Sequence, residues 1–144
     1  MKTMLAEAIA LAAEKHKGQF DKGGMPYILH PLKVCHYLKS DDLELMCVAV
    51  LHDVVEDTDV TFADLTALGM SDRVVSAVRV LTKMPGQTPE EYLTGIMLNV
   101  DAIKVKLADL RHNMDARRLK GVTEKDRARL DKYAKMYWVL KELV

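Results

Sequence analysis

Residues suited to metal chemistry stand at the end of one apolar segment, residues 45–59. The segment begins Leu-Met-Cys-Val-Ala-Val-Leu and continues as His52-Asp53-Val-Val-Glu56-Asp57. In a continuous helix, residues four apart lie on the same side. His52 would then lie beside Glu56, and Asp53 beside Asp57. Burying these ions among valine and leucine costs several kcal/mol each unless a counter-charge or a metal compensates. The segment therefore predicts a divalent cation site.

Two residues elsewhere in the chain could complete that site. His30 precedes Pro31, and the restriction that a proline imposes on the preceding residue predicts a stiff corner outside a helix. Asp109 is the clearest acid within an apolar helical stripe. The predicted ligands are His30, His52, Asp53 and Asp109. Two neutral imidazoles and two carboxylates balance a dication, leave positions open for water, and favour Mn(II), Fe(II) or Co(II) over Mg(II), with zinc also compatible.

Apolar spacing and capping residues indicate the helices that must position these side chains. Residues 3–17 and 31–39 predict two helices before the acidic segment, and Thr61, Ser71, Thr88, Asp101 and Thr123 are suited to begin the later ones. No segment alternates polar and apolar residues over a strand's length. About seven to eight helices with short connections predict an all-α bundle that forms one domain, residues 1–144.

The composition excludes several classes of protein. Of the 144 residues, 49% are hydrophobic and 29% charged, with a formal net charge of zero, which is typical of a soluble globular domain and gives no reason to expect nucleic acid as a partner. Neither a signal peptide nor a membrane span is evident, so we expect a cytoplasmic protein, monomeric or a small homo-oligomer. Cys35 and Cys47 stand singly among apolar residues and are expected to be reduced, buried thiols.

The ordered pattern His30, His52-Asp53, Asp109 resembles the H…HD…D signature of the HD-domain metal-dependent phosphohydrolases. The similarity extends to the hydrolase domain of RelA/SpoT-type alarmone enzymes and their small stand-alone relatives. It rests on five blocks in the same order, which are Lys15-His-Lys-Gly-Gln19, Pro26-Tyr-Ile-Leu-His-Pro31, Leu51-His-Asp-Val-Val-Glu-Asp-Thr58, Leu81-Thr-Lys83, and Val105-Lys-Leu-Ala-Asp109 with His112-Asn-Met114. Together these blocks run through most of the chain.

This resemblance implies a hydrolase that removes the 3′-pyrophosphate from guanosine tetra- or pentaphosphate (ppGpp or pppGpp), with Mn(II) held by the four predicted ligands. Glu56 and Asp57 would orient and deprotonate the attacking water, since a metal lowers the pKa of bound water and a nearby carboxylate can accept its proton. Four further positions match family residues that contact phosphate, nucleotide or base. They are Lys15, Lys83, Asn113 and Tyr137.

Two departures from the family pattern leave other functions open. The chain reads Leu110-Arg111 where alarmone enzymes usually have Arg and Leu in the other order, and residues 115–118 read Asp-Ala-Arg-Arg in place of the usual Arg-Thr-Leu. The first alternative is the same catalyst acting on another nucleotide, such as a phosphate ester or NADPH. The second is a sensor that binds a nucleotide without hydrolysing it. The remaining histidines, His16, His36 and His112, are expected to be structural.

Overall fold

Helices make up the regular structure of this computed structural model, which describes residues 3–144. The elements are α1 Met4–Lys15, α2 Leu29–Tyr37, α3 Leu43–Leu51, α4 Val54–Asp57, α5 Phe62–Leu68, α6 Asp72–Leu81, α7 Pro89–Met97, α8 Val100–Asn113, a 3-10 helix Ala116–Arg118, and α9 Glu124–Lys141. Within that range the only β contact is an isolated bridge between Phe20 and Pro26. Since α4 is a single turn that follows α3 directly, eight longer helices remain, and the prediction of an all-α bundle is confirmed.

The central helix of the bundle is α3. Its residues from Cys47 to Leu51 are completely buried, and it packs against α1, α2, α6 and α8. A helix that is apolar on all sides belongs in the interior, where every face finds a partner. Because α2 and α8 also pack against each other, the three helices that carry the predicted ligands meet at one place. No helix in the described part of the chain is long and apolar enough to cross a bilayer.

Side-chain caps begin most of the later helices, as predicted. Thr61, Thr88 and Thr123 each form a reciprocal capping box with the acid three residues on, and Ser71 accepts from the Val74 amide. The prediction that Asp101 caps α8 is wrong. The Asn99 side chain accepts from the Ala102 amide instead, because Asp101 lies inside the first turn and pairs with an arginine of α6.

His30 lies inside α2 and not in a corner before it, which corrects the expectation from Pro31. The His30 amide donates to the Tyr27 carbonyl at 2.9 Å, and both His30 and Pro31 are in the first turn. A proline there costs no helical hydrogen bond, since first-turn amides have no partner within the helix. The preference against a helical residue before proline is therefore outweighed by the contacts that His30 makes once buried.

The loop between α1 and α2 packs closely on the segment that follows α8, and this contact depends on Gly23. A methyl group added to Gly23 would overlap the Arg118 carbonyl oxygen. Gly23→Ala is therefore expected to lower the free energy of unfolding by about 1–3 kcal/mol, as overpacking generally does. Gly95→Ala is the matched control, because its methyl would lie 3.9 Å from Val80 Cβ inside α7 and should raise stability by about 0.5–1 kcal/mol.

Urea denaturation of the two glycine variants measures both effects. Shifts of opposite sign in the midpoint are expected. A Gly23→Ala protein as stable as Gly95→Ala would show that the loop does not rest on the Arg118 segment as described.

Candidate metal centre

Four side chains meet where α2, α8 and the junction between α3 and α4 come together. One nitrogen or oxygen atom from each of His30, His52, Asp53 and Asp109 lies within 4.8 Å of the corresponding atoms of the other three. Both histidines are 3% exposed and Asp109 is 5% exposed, while Asp53 is partly accessible. The structure thus brings together the four residues that the sequence nominated as ligands.

A break in the helix of the acidic segment brings both His52 and Asp53 to the cluster. The sequence suggested a continuous helix, but α3 ends at Leu51 and α4 begins at Val54. The His52 ring turns back so that its Nδ1 lies 2.6 Å from the Ala49 carbonyl oxygen, and Asp53 occupies the residue before α4. The Asp57 amide still donates to the Asp53 carbonyl at 3.0 Å, so the four-residue spacing between the acids is kept.

The environment of His52 indicates that the cluster fits a cation. Because Nδ1 faces a carbonyl oxygen, it carries the proton of the neutral ring, and Nε2 carries a lone pair. That buried Nε2 makes no hydrogen bond, yet lies 3.0 Å from an Asp53 oxygen and 3.3 Å from an Asp109 oxygen. Lone pairs that face one another at these distances require a positive charge between them, either a proton on the ring or a metal ion. Nitrogen and oxygen donors in this combination can hold a divalent metal.

The pKa values of the cluster reflect the same crowding of negative charge. Burial lowers the pKa of His52, but the carboxylates of Asp53 and Asp109 outweigh burial and raise that pKa well above its usual range. Burial acts to raise the pKa of the Asp53 carboxyl, and His52 overcomes it and lowers the pKa to about 2. For Asp109, Lys106 likewise overcomes burial and holds the pKa well below its usual range. A proton on His52 and a metal ion would therefore compete for the same lone pair.

A surrounding layer of hydrogen bonds fixes the orientation of the two carboxylates. The Tyr27 hydroxyl donates to Asp53 Oδ2 at 2.5 Å. Lys106 Nζ donates to Asp109 Oδ2 at 2.9 Å, and the Asn113 amide donates to Asp109 Oδ1 at 3.1 Å. Partners of this kind fix the orientation of metal ligands and are needed for full affinity.

Sequence reasoning missed three residues of this surrounding layer. Tyr27 and Lys106 lie in the matching blocks but have no predicted role, and His112 is predicted to be structural, whereas its Nδ1 lies 2.8 Å from His30 Nδ1. The helical spacing of α8 contained the signal for two of them. Lys106 and His112 are three residues before and after Asp109, so both lie on the side of the helix that carries Asp109.

Glu56 and Asp57 line the same cavity as the four clustered residues, a space of about 150 Å³. Glu56 Oε1 accepts from the Lys83 amide at 2.8 Å, which ties α4 to the end of α6. Partial burial, together with the charges of Asp53 and Glu56, raises the pKa of Asp57 to about 6. A carboxylate with this pKa is a suitable proton acceptor near neutral pH, because it is mostly ionised but still basic.

The predicted substrate contacts divide into two groups. Lys83 and Asn113 line the cavity of the cluster. Lys15 instead pairs with Asp59 at 3.0 Å outside it, and Tyr137 is not among the residues of its wall. Tyr133, one turn earlier on α9, occupies that wall. Roles for Lys15 and Tyr137 therefore stay predictions without support from the shape of the cavity.

Two further cavities adjoin the central one and enlarge the space open to a ligand. A cavity of about 280 Å³ shares Tyr27, Asn113 and Tyr133 with it, and its wall mixes aromatic and aliphatic side chains with acids and bases. On the other side, a cavity of about 160 Å³ shares Tyr92 and two lysines with it, and adds Lys132. A molecule bound at the cluster can thus extend into open space on either side of it, which suits a ligand larger than a simple phosphate.

Comparison with known proteins places these features in context. The family described as "HD domain" matches residues 8–91. The bifunctional (p)ppGpp synthase/hydrolase SpoT of Escherichia coli K12 is 34% identical over 122 residues, covering 76% of this chain and 17% of SpoT. The guanosine-3′,5′-bis(diphosphate) 3′-pyrophosphohydrolase MESH1 of Danio rerio is 36% identical over 121 residues, covering 77% of this chain and 67% of MESH1. The chain thus spans about 17% of the bacterial relatives and two thirds of the zebrafish one.

A solved structure shares the arrangement of helices. It is described as a metazoan ortholog of SpoT that hydrolyzes ppGpp, and it superimposes with a TM-score of 0.78 at 29% identity, covering 95% of this chain and 84% of that one. The similarity therefore extends over nearly the whole chain and well beyond the residues that the family description matches.

Proposed function

The chain belongs to the HD-domain family, and from that premise we propose that it is a metal-dependent hydrolase that removes the 3′-pyrophosphate of guanosine 3′,5′-bis(diphosphate). The observation that carries the proposal is the buried cluster of two imidazoles and two carboxylates with Glu56 and Asp57 on the same cavity. The names of the zebrafish and bacterial relatives support the choice of substrate. We propose that residues 1–144 act as one catalytic unit on a small-molecule nucleotide.

His30, His52, Asp53 and Asp109 would hold the metal ion, for which we propose Mn(II) because mixed imidazole and carboxylate donors suit it. When bound, such an ion lowers the pKa of a water ligand and offsets negative charge on phosphate. Glu56 and Asp57 would orient the attacking water, and one of them would accept its proton. The Asp57 carboxylate is a stronger base than an ordinary aspartate, because its pKa is raised to about 6. Lys83 and Asn113, in the wall of the same cavity, bind the phosphate groups of the substrate.

One observation favours a second candidate, the same chemistry on a different nucleotide. Leu110 is completely buried, and the Arg111 guanidinium lies over the Tyr37 ring at 4.3 Å to its centroid, outside the walls of the central cavity. The arginine that alarmone enzymes usually carry at position 110 thus has no counterpart at that position. NADPH and other nucleotide phosphate esters are the substrates to compare.

A substrate panel distinguishes these candidates. Mn(II)-loaded protein is incubated with guanosine tetraphosphate, NADPH and simple nucleoside phosphates, and the released phosphate and pyrophosphate are quantified. Pyrophosphate from the first compound, with little product from the others, is expected. Release of phosphate only from NADPH would show that NADPH, and not guanosine tetraphosphate, is the substrate. Tight binding without turnover of any compound would indicate a sensor. The Asp57→Asn protein serves as the control for contaminating activity.

A further inference from the structure

A hydrogen bond between two histidines joins the cluster to its surroundings. His30 Nδ1 lies 2.8 Å from His112 Nδ1, and the planes of the two rings are only 12° apart. Such a distance between ring nitrogens requires one proton between them, so one ring donates and the other accepts. Among the described residues, His112 provides the only hydrogen-bond partner of His30 Nδ1. The direction of this bond decides which nitrogen of His30 carries a hydrogen.

The two directions have opposite consequences at the other end of the His30 ring. His30 Nε2 lies 2.9 Å from an Asp109 oxygen and 3.8 Å from an Asp53 oxygen. If His112 donates, neutral His30 carries its hydrogen on Nε2, which then bonds to Asp109 and offers no lone pair to the cluster. If His30 donates, Nε2 keeps its lone pair and can ligate an ion shared with Asp109 and His52.

We infer that His112 is a positioning residue, which accepts a hydrogen bond from His30 Nδ1 and so keeps His30 Nε2 free to bind the metal. The inference rests on the metal site of the proposed function and adds a residue that does not itself touch the ion. It parallels His52, whose Nδ1 is held by the Ala49 carbonyl at 2.6 Å. Both imidazoles of the cluster then direct the same nitrogen, Nε2, towards the carboxylates.

The position of His112 on α8 is suited to this role. It follows Asp109 by three residues, so one helix supplies a ligand and the partner of another ligand. Arg118 Nη1 donates to the His112 carbonyl at 3.2 Å and to the Asn113 side-chain oxygen at 3.1 Å, which anchors the end of the helix. The backbone that carries His112 is thus held by the last turn of α8 and by Arg118.

Three variants test the inference through metal affinity, measured from the electron paramagnetic resonance signal of free Mn(II) in titrations of the protein. His112→Leu removes the acceptor and is expected to weaken Mn(II) binding about 10- to 100-fold, as loss of an outer partner of a ligand does. His112→Asn offers an oxygen acceptor and should bind with intermediate affinity. His36→Leu makes the same change at an exposed histidine that shares a surface cavity with His112 but does not contact His30, and should bind like the unchanged protein.

A measurement on the unchanged protein removes any dependence on the folding of the variants. Nitrogen-15 spectra of the histidine rings in Zn(II)-loaded protein should show His30 protonated at Nδ1 and not at Nε2. A His30 Nε2–H in the loaded protein, or a His112→Leu protein that binds Mn(II) as tightly as the His36→Leu control, would overturn the inference and leave the proposed hydrolase standing. If the unchanged protein binds no Mn(II), the inference and the proposed metal site fail together.

Discussion

Replacing His52 with alanine is expected to strip the protein of its metal ion and to abolish hydrolysis. The His52 Nε2 lone pair lies 3.0 Å and 3.3 Å from oxygens of the two clustered aspartates, and within residues 3–144 only His30 joins these three side chains in the cluster. Loss of an outer partner of a ligand weakens metal binding about 10- to 100-fold. Loss of a direct ligand should weaken Mn(II) binding by more than that. Metal analysis after gel filtration, with the initial rate on the same sample, measures both effects.

A matched control separates metal loss from loss of the fold. His16 is also a fully buried histidine, but its Nδ1 bonds to Gln19 and it takes no part in the cluster. His16→Ala should therefore cost comparable stability and still bind Mn(II). Metal content that is unchanged in His52→Ala, or lost equally in both variants, would contradict the ligand assignment.

At Asp109, substitution by asparagine is a better test of metal binding than substitution by alanine. Asp109 pairs with Lys106, which is largely buried and whose pKa that carboxylate raises against the effect of burial. Asp109→Ala would leave the lysine charge without a partner, at a cost of about 3–5 kcal/mol. Asp109→Asn keeps the shape of the side chain and an oxygen acceptor, and it should fold but bind Mn(II) much more weakly.

Glu56→Gln and Asp57→Asn are expected to keep the metal and lose the rate. Both side chains line the cavity without belonging to the cluster, so the substitutions leave all four proposed ligands in place. Loss of a general base should lower kcat about 10²- to 10⁴-fold. Asp72→Asn is the control, since this exposed acid of α6 is not part of the cavity wall. Full activity in the Asp57→Asn protein, or metal loss in either variant, would contradict the assignment.

The pH profile reports on the same pair of acids. A base acts only when ionised, and Asp57 has a pKa raised to about 6 by partial burial, Asp53 and Glu56. Activity at saturating metal should therefore fall as the pH drops below about 6, because a bound ion that offsets the Asp53 charge moves the pKa of Asp57 downward. Glu56→Gln removes one of the charges that raise this pKa, so the midpoint of its residual activity should move to lower pH. A midpoint that stays in place would show that another group controls the profile.

Residue types and their order were enough to indicate the cluster and the helical fold. His52 and Asp53 stand out because charged groups at the end of a fully apolar helix are costly to bury, and His30 and Asp109 because few other candidates lie in ordered surroundings. The caps at Thr61 and Thr88 were equally readable, since a hydroxyl and an acid three residues apart act locally. Each of these signals can be recognised from a residue and its near neighbours in sequence.

Features that depend on packing between helices could not be read in this way. The break after Leu51 and the helical conformation of His30 arise because buried contacts outweigh local preferences. Tyr133 and Tyr137 lie four residues apart on one side of α9, and only the position of that helix along α8 decides that Tyr133 reaches the cavity. The partner of His30 was hidden likewise, because His112 is 82 residues away in sequence.

The account depends above all on one ion bound among two imidazoles and two carboxylates. Crystals grown with Mn(II) and measured at the manganese absorption edge test this most directly. A single anomalous peak within coordination distance of His30 Nε2, His52 Nε2 and oxygens of both Asp53 and Asp109 is the predicted result. An anomalous map without a peak there, from protein never exposed to a chelator, would contradict it.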